Sequence, residues 1–318
     1  MSKTSGVKES WLSRHLGEFY LTMGAIFFSF NGVIVTLVLD HMSTFRLAQV
    51  RAVGAFSLLF LFTFIQDRKS LSATKKEIPT LVFYGVFGFA MVQLGYFVGI
   101  SQGVPLSLVL ILEFTAPIWI VLWIKFVRKG EVARDMWIAI LLALVGLVLV
   151  AKVWEGLTFD LVGIIGSIGS AIALAIYFLM GEKQGKTRSA QAMVVWGLGF
   201  AGLFWCIVLP VWNFPFEVFS TQMNLQGTFD QYSLPGWALI GYIVVFGTMV
   251  PYLFVMGGIR RLNASTSSVI GMSEPVLAGI FAWIWLAQAW TLIQLLGCAI
   301  VLIGIYIADR AKTSVTSQ

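Results

Sequence analysis

The sequence is short of charge. Asp, Glu, Lys and Arg together make up 11% of its 318 residues, against about 25% in an ordinary soluble domain. That shortage excludes a soluble enzyme, a disordered tail protein and a coiled coil. It is also short of metal-binding chemistry, with two His and two Cys. His15 and His41 stand at the edges of the first apolar run, too far apart for a ligand pair. Cys206 and Cys298 lie inside apolar runs, and two such thiols make neither a disulfide framework nor a zinc site. There is no HExxH, no GxxxxGK[ST] and no nucleophile elbow. No metal, no cofactor and no enzymatic activity are expected. What the chain has is apolar bulk: 58% hydrophobic residues, 12 Trp, 26 Phe and a mean hydropathy of +0.89. Its 31 Gly and 8 Pro suit membrane helices, where both are commoner than in soluble ones. The fold class expected is an all-α polytopic membrane protein.

A bilayer core about 30 Å thick needs about 20 apolar residues per helix. Ten such runs occur, at 18–39, 43–66, 79–102, 104–127, 135–153, 159–181, 188–212, 235–258, 262–286 and 290–308. The first is read as a span and not a signal peptide, because it is long, ends in Asp40 and His41, and precedes nine more. The basic residues alternate with the connections. All 21 Lys and Arg except Lys152, Arg46 and Arg51 fall in the two tails or at the second, fourth, sixth and eighth connections. The positive-inside rule then places both termini in the cytoplasm of a cell-membrane protein. The net charge of +6 is thereby a topology signal, and no nucleic-acid partner is expected.

The chain also repeats itself. At an offset of 158 residues, Tyr84 to Gly146 lies over Tyr242 to Gly304, matching Tyr84/Tyr242, Met91/Met249, Val92/Val250, Gly99/Gly257, Ser107/Ser265, Pro117/Pro275 and Gly146/Gly304. Spans three to five align with spans eight to ten. Five spans per half is an odd number, so the second half enters the membrane in the opposite sense. The expected domains are an 18–153 repeat and a 159–308 repeat of inverted topology, with cytoplasmic tails at 1–17 and 309–318. Inverted repeats are a transporter architecture with the site near the midplane.

Matched interruptions point to that site. Pro117 and Pro275 each remove one helical hydrogen bond, freeing the carbonyls of Glu113 and Gly271, which are themselves aligned. Either proline alone would read as an ordinary kink. Pro251 frees the carbonyl of Gly247, but Gln93 stands at its aligned position. Three ionisable residues lie deep. Arg51 and Glu113 are both about 12 Å in from the same face at 1.5 Å per residue, and Glu274 is at mid-depth. Each costs about 2.5–3.5 kcal/mol at the centre of a lone helix, so each should face inward toward a partner. An Arg51–Glu113 ion pair is the plain structural reading, which makes Glu113 a structural or substrate-amine group. Glu274 has no equally obvious cation, and a lone buried carboxylate readily takes a proton, which makes it the proton-coupling candidate. Ser29, Asn31, Gln93, Tyr96, Tyr177 and Tyr252 complete a candidate cavity, with helix-to-helix hydrogen bonding as the alternative for each. Gly95, Gly99 and Gly103 read as a close helix contact. Trp119, Trp123, Trp283 and Trp285 read as lipid-facing bulk, and Arg46 as a residue that snorkels to the surface.

These segments resemble a known family. Leu112-Glu113-Phe114-Thr115-Ala116-Pro117, Met272-Ser273-Glu274-Pro275, Tyr84-Gly85-Val86, Val104-Pro105-Leu106, Ala175-Ile176-Tyr177 and Thr291 to Leu296 are similar to segments of the drug/metabolite transporter superfamily, its EamA-type members, and within them the bacterial threonine/homoserine exporter subgroup. Arg51 lies where that family commonly has an arginine. Two departures are visible. Gln288-Ala289 stands where a Gly-Glu like Gly130-Glu131 is usual, and the connection from Asn213 to Leu234 is long. The resemblance implies an exporter of amino acids or related small metabolites, an antiporter working by alternating access with protons as coupling ion, as a monomer or weak homodimer. Export of amphipathic cations or drugs competes with it, since aromatics and an intramembrane carboxylate serve both. An intramembrane enzyme acting on lipid-linked substrates would need clustered acidic or metal-binding residues near one interface. A scaffold that transports nothing would leave the buried polar groups needlessly costly.

Overall fold

The computed structural model describes residues 15–152, 154, 160–287 and 290–311. Most of both tails, with Lys3, Lys8, Arg14 and Lys312, and the pair Gln288-Ala289 lie outside the described residues. The protein is a multi-pass bundle with, among the described residues, ten helical segments long and apolar enough to cross a membrane. They are Leu16–Leu39, Thr44–Gln66, Ile78–Ser101, Leu108–Phe126, Arg134–Ala151, Leu161–Gln184, Ala190–Val208, Gly236–Ile259, Ala264–Leu286 and Leu292–Ala311, here spans one to ten. Span seven stops at Val208, earlier than its apolar run, because Pro210 follows.

The ends of the spans sort into two faces. On the face carrying the basic connections, Arg128 pairs with Glu182 at 2.9 Å, Arg188 with Glu77 at 2.9 Å, and Arg260 donates to Gly185 O at 2.8 Å. These contacts tie the second, fourth, sixth and eighth connections together. On the opposite face Arg46 donates to Pro210 O at 3.0 Å, and Gln294 to Val150 O at 3.2 Å. Arg46 is therefore tied to the seventh connection.

Packing follows small residues, which let helix backbones approach where no hydrophobic force drives association. Spans five and ten lie flush along Gly146, Gly297 and Gly304. A Cβ on Gly146 would stand 2.6 Å from Gly297 O. Span three lies on span six, with Gly95 against Gly166 O and Gly99 against the Ser167 hydroxyl. Gly103 makes no such contact; it closes span three at a φ of +77°. Span two lies on span seven, where Gln49 Nε2 donates to Leu209 O at 2.6 Å. Span one packs on spans eight and nine, across the two halves of the chain.

The connection between spans seven and eight is ordered. Strands β1 (Gln222–Asn224) and β2 (Ser233–Pro235) form an antiparallel hairpin with Met223 opposite Leu234. It reaches over spans one and nine. Gln226 Nε2 donates to Asp40 Oδ2 at 3.1 Å, Thr228 Oγ1 to Ile284 O at 3.0 Å, and Trp285 Nε1 to Leu225 O at 2.8 Å. The Phe229 and Trp285 rings are 4.6 Å apart. Trp285 is thus a docking residue for the hairpin, unlike the exposed Trp119, Trp123 and Trp283. Its indole N–H needed an acceptor, and the hairpin provides a backbone carbonyl.

Candidate functional site

Span four is two half-helices, Leu106–Glu113 and Ala116–Phe126. Span nine is likewise Ala264–Gly271 and Glu274–Leu286. The interrupting pairs Phe114-Thr115 and Met272-Ser273 are related by the 158-residue offset. Each is closed by the same short turn. Thr115 N donates to Leu112 O at 3.2 Å, and Ser273 N to Ile270 O at 3.0 Å. Pro117 and Pro275 occupy the second position of the following half-helix, where no backbone N–H is needed. Span four begins its first half at the face opposite the basic one, and span nine begins at the basic face.

Spans three and eight are irregular as well. Each has a wider, π-type turn, at Val86–Ala90 and Val245–Met249. In span eight Pro251 withholds its donor from Gly247 O. The carbonyl is taken up by Arg51, whose Nη2 donates to it at 3.2 Å while Nε donates to Thr248 Oγ1 at 3.0 Å. In span three no proline marks the turn, and sequence reading could not find it. The turn places Gly88 on the cavity wall between Tyr84 and Tyr177.

These irregular turns surround a cavity of about 260 Å³. Arg51, Glu113, Glu274, Asn31, Gln93, Tyr96, Tyr177, Tyr252 and Pro117 all line it; Pro275 does not. The aromatic wall is completed by Phe28, Phe97, Phe114 and Phe178. Ser267 and Ser268 also line it, and sequence reading passed over them. The signal was the hydroxyl run Ser265-Thr266-Ser267-Ser268 in an otherwise apolar span. All four are buried, in the half of span nine that begins at the basic face. Gly32, on the wall nearer the opposite face, is exposed.

The charges are arranged otherwise than expected. Among the described residues Arg51 makes no ion pair with Glu113. Its Nε and Nη2 donors are committed to span eight, and the carboxylate it interacts with electrostatically is Glu274. Glu274 also opens a half-helix, where the backbone dipole favours an anion, and Ser29 Oγ donates to its carbonyl at 2.8 Å. Glu113 closes a half-helix, where the dipole opposes an anion, and the carboxylate of Glu274 repels it. Ser170 stands beside it, with Oγ donating to Val92 O at 2.8 Å. Among the described residues no ion pair joins Arg51 to either carboxylate, and the electrostatic attraction of the guanidinium falls on Glu274 rather than on Glu113.

Several polar atoms here have no hydrogen-bond partner among the described residues: Asn31 Oδ1, Gln93 Oε1, the Tyr177 hydroxyl and Ser267 Oγ. The Gln93 amide stands beside the Tyr252 phenol. Asn31 presses on the Cα of Gly247, so closely that a Cβ there would overlap Oδ1. Buried groups of this kind are costly unless water or a ligand bonds them. No group of three or more His, Cys, Asp or Glu able to hold a metal occurs among the described residues.

The ten described spans around a charged, mainly apolar cavity, walled by matched broken helices, have the architecture of a membrane transporter. The chain belongs to the EamA-like transporter family, which matches residues 15–152 and 161–308. It is similar to the uncharacterized transporter YdfC of Bacillus subtilis, with 23% identity over 84% of this chain and 80% of that one. It is 24% identical to the uncharacterized transporter YetK of the same organism, over 95% of this chain and 89% of that one. It is 27% identical to the threonine/homoserine exporter RhtA of Escherichia coli, over 76% of this chain and 74% of that one. A solved crystal structure of a protein aligns with a TM-score of 0.75 at 15% identity, covering 95% of this chain and 99% of that chain, which is a likeness of fold.

Proposed function

We propose that this protein exports small zwitterionic metabolites, amino acids foremost, from the cytoplasm across the cell membrane. Its halves act as inverted repeats that expose the cavity to each side in turn, and inward proton movement drives the cycle. The observation that carries this reading is the charge count of the cavity: one guanidinium and two carboxylates among aromatic walls. Arg51 balances one carboxylate. The other, at Glu113, is balanced by a proton or by the ammonium group of a substrate, and the two compete for it. A zwitterion also brings a carboxylate, for the free edge of Arg51, and the charges then balance with one proton on Glu274. Relatives named as threonine/homoserine exporters support the substrate class. The reading takes the basic face as cytoplasmic and the described state as the one closed to it.

The test uses purified protein in proteoliposomes with labelled threonine. Glu113→Gln should abolish uphill transport driven by an imposed proton gradient, together with its pH dependence, while exchange of threonine across the membrane survives. Uphill transport by Glu113→Gln would sink the proton role of this carboxylate. The aromatic wall favours a second reading, export of amphipathic cations. Cationic dyes carried in preference to threonine would establish it.

A further inference from the structure

The wide turn of span eight does something specific to Arg51. Thr248 is fully buried. Its Oγ1 donates to Ile243 O at 2.8 Å, five residues back along the widened turn, and accepts from Arg51 Nε at 3.0 Å. One residue earlier, the Gly247 carbonyl accepts from Nη2 at 3.2 Å. The Thr248 arrangement is a product of the wide turn, and the free Gly247 carbonyl of Pro251. In a regular helix without Pro251 the carbonyl would be taken by a backbone N–H, and Thr248 Oγ1 would have no carbonyl five residues back within reach. A guanidinium is a planar fork of five donors. Two are held on span eight, which fixes its plane and leaves the Nη1 side and the second Nη2 hydrogen directed away from span eight. A free lysine-like charge would need no such alignment; bidentate recognition of a carboxylate does.

We infer that Thr248 is a positioning residue: through the Gly247–Thr248 turn, span eight aims the Arg51 fork so that it receives the carboxylate of the transported molecule. This rests on the amino-acid reading above. It also gives span eight a way to change the site, because straightening the turn shifts the Thr248 hydroxyl off Ile243 O and leaves the fork held at the Gly247 carbonyl alone.

Transport of L-threonine and of L-threonine amide, which lacks the carboxylate, would be compared in proteoliposomes for the wild type, Thr248→Val and Thr248→Ser. Thr248→Val should raise the KM for threonine about tenfold, equivalent to about 1.4 kcal/mol, with Vmax and the KM for the amide little changed. Thr248→Ser, which keeps the hydroxyl, should stay within about twofold of wild type. An equal rise for both compounds, or none for threonine, would overturn the inference. If the wild type carries neither compound, the functional proposal falls. The positioning claim is then decided by the Arg51 Nε–H resonance in 15N-arginine-labelled protein. Slow proton exchange in wild type and Thr248→Ser but not in Thr248→Val upholds it; the same exchange in all three refutes it.

Discussion

At the scale of single residues, charge was legible and partnership was not. Arg51, Glu113 and Glu274 stand out in an apolar sequence because each is expensive in lipid. Depth along the helix put Arg51 level with Glu113, but depth says nothing of azimuth. Where the guanidinium points depends on how the irregular turn of span eight faces span two, and its hydrogen bonds to Thr248 and Gly247 set that. The pairing carries a prediction. Glu274→Gln should leave Arg51 without its counter-charge and cost roughly 1–3 kcal/mol of stability, the usual penalty for stranding a partly buried polar group. Removing both charges in Arg51→Met with Glu274→Gln should recover part of that loss, since breaking a pair is worse than deleting it whole. Thermal unfolding in detergent measures both. Additive losses would separate the two residues.

At the scale of elements, the breaks in spans four and nine were legible because proline marks them. The wide turn in span three was not, because Val86-Phe87-Gly88-Phe89-Ala90 has no breaker beyond one glycine. The start of span three shows a different kind of local chemistry. Glu77 receives the Thr74 backbone N–H and hydroxyl, each at 2.7 Å, and Arg188 at 2.9 Å. Hydrogen bonds from Thr74, with Arg188 beside them, hold its carboxyl down at about 2, below the usual 4.5. A lowered value means the stabilisation is complete above about pH 4.5 and disappears as pH falls through about 2. Amide exchange over residues 72–78, corrected for its intrinsic pH dependence, should therefore show constant protection from pH 5 to pH 8. Glu77→Gln should lower that protection throughout the range. Exchange unaltered by the substitution would show that the turn holds without the carboxylate.

At the scale of the whole molecule, the number of spans and their two faces were legible, because lipid demands long apolar runs and the basic residues alternate with them. The hairpin between spans seven and eight was not. Its seat on Asp40, Ile284 and Trp285 is made of contacts distant in sequence, and its residues carry only an ordinary turn composition. Orientation has a direct test. In a background with Cys206→Ala and Cys298→Ala, single cysteines at the exposed Lys75 and Lys186 should escape an impermeant thiol reagent in intact cells, and one at the exposed Gln231 should react. Labelling of the first two in sealed cells would reverse the proposed orientation.

The contact of span one with span nine bears on how the protein is made. Ser29 is satisfied by the carbonyl of Glu274, 245 residues later in the chain. At about 5–20 residues per second, span one waits roughly 10–50 s for the segment that completes it. For most of that interval its buried face, Ser29 and Asn31 included, has neither span eight nor span nine to lie against. Span one is made before the other nine spans described and is among the last to be seated, so a ribosome stalled before residue 274 would hold a membrane-inserted chain whose span one is still exposed to whatever else the bilayer contains.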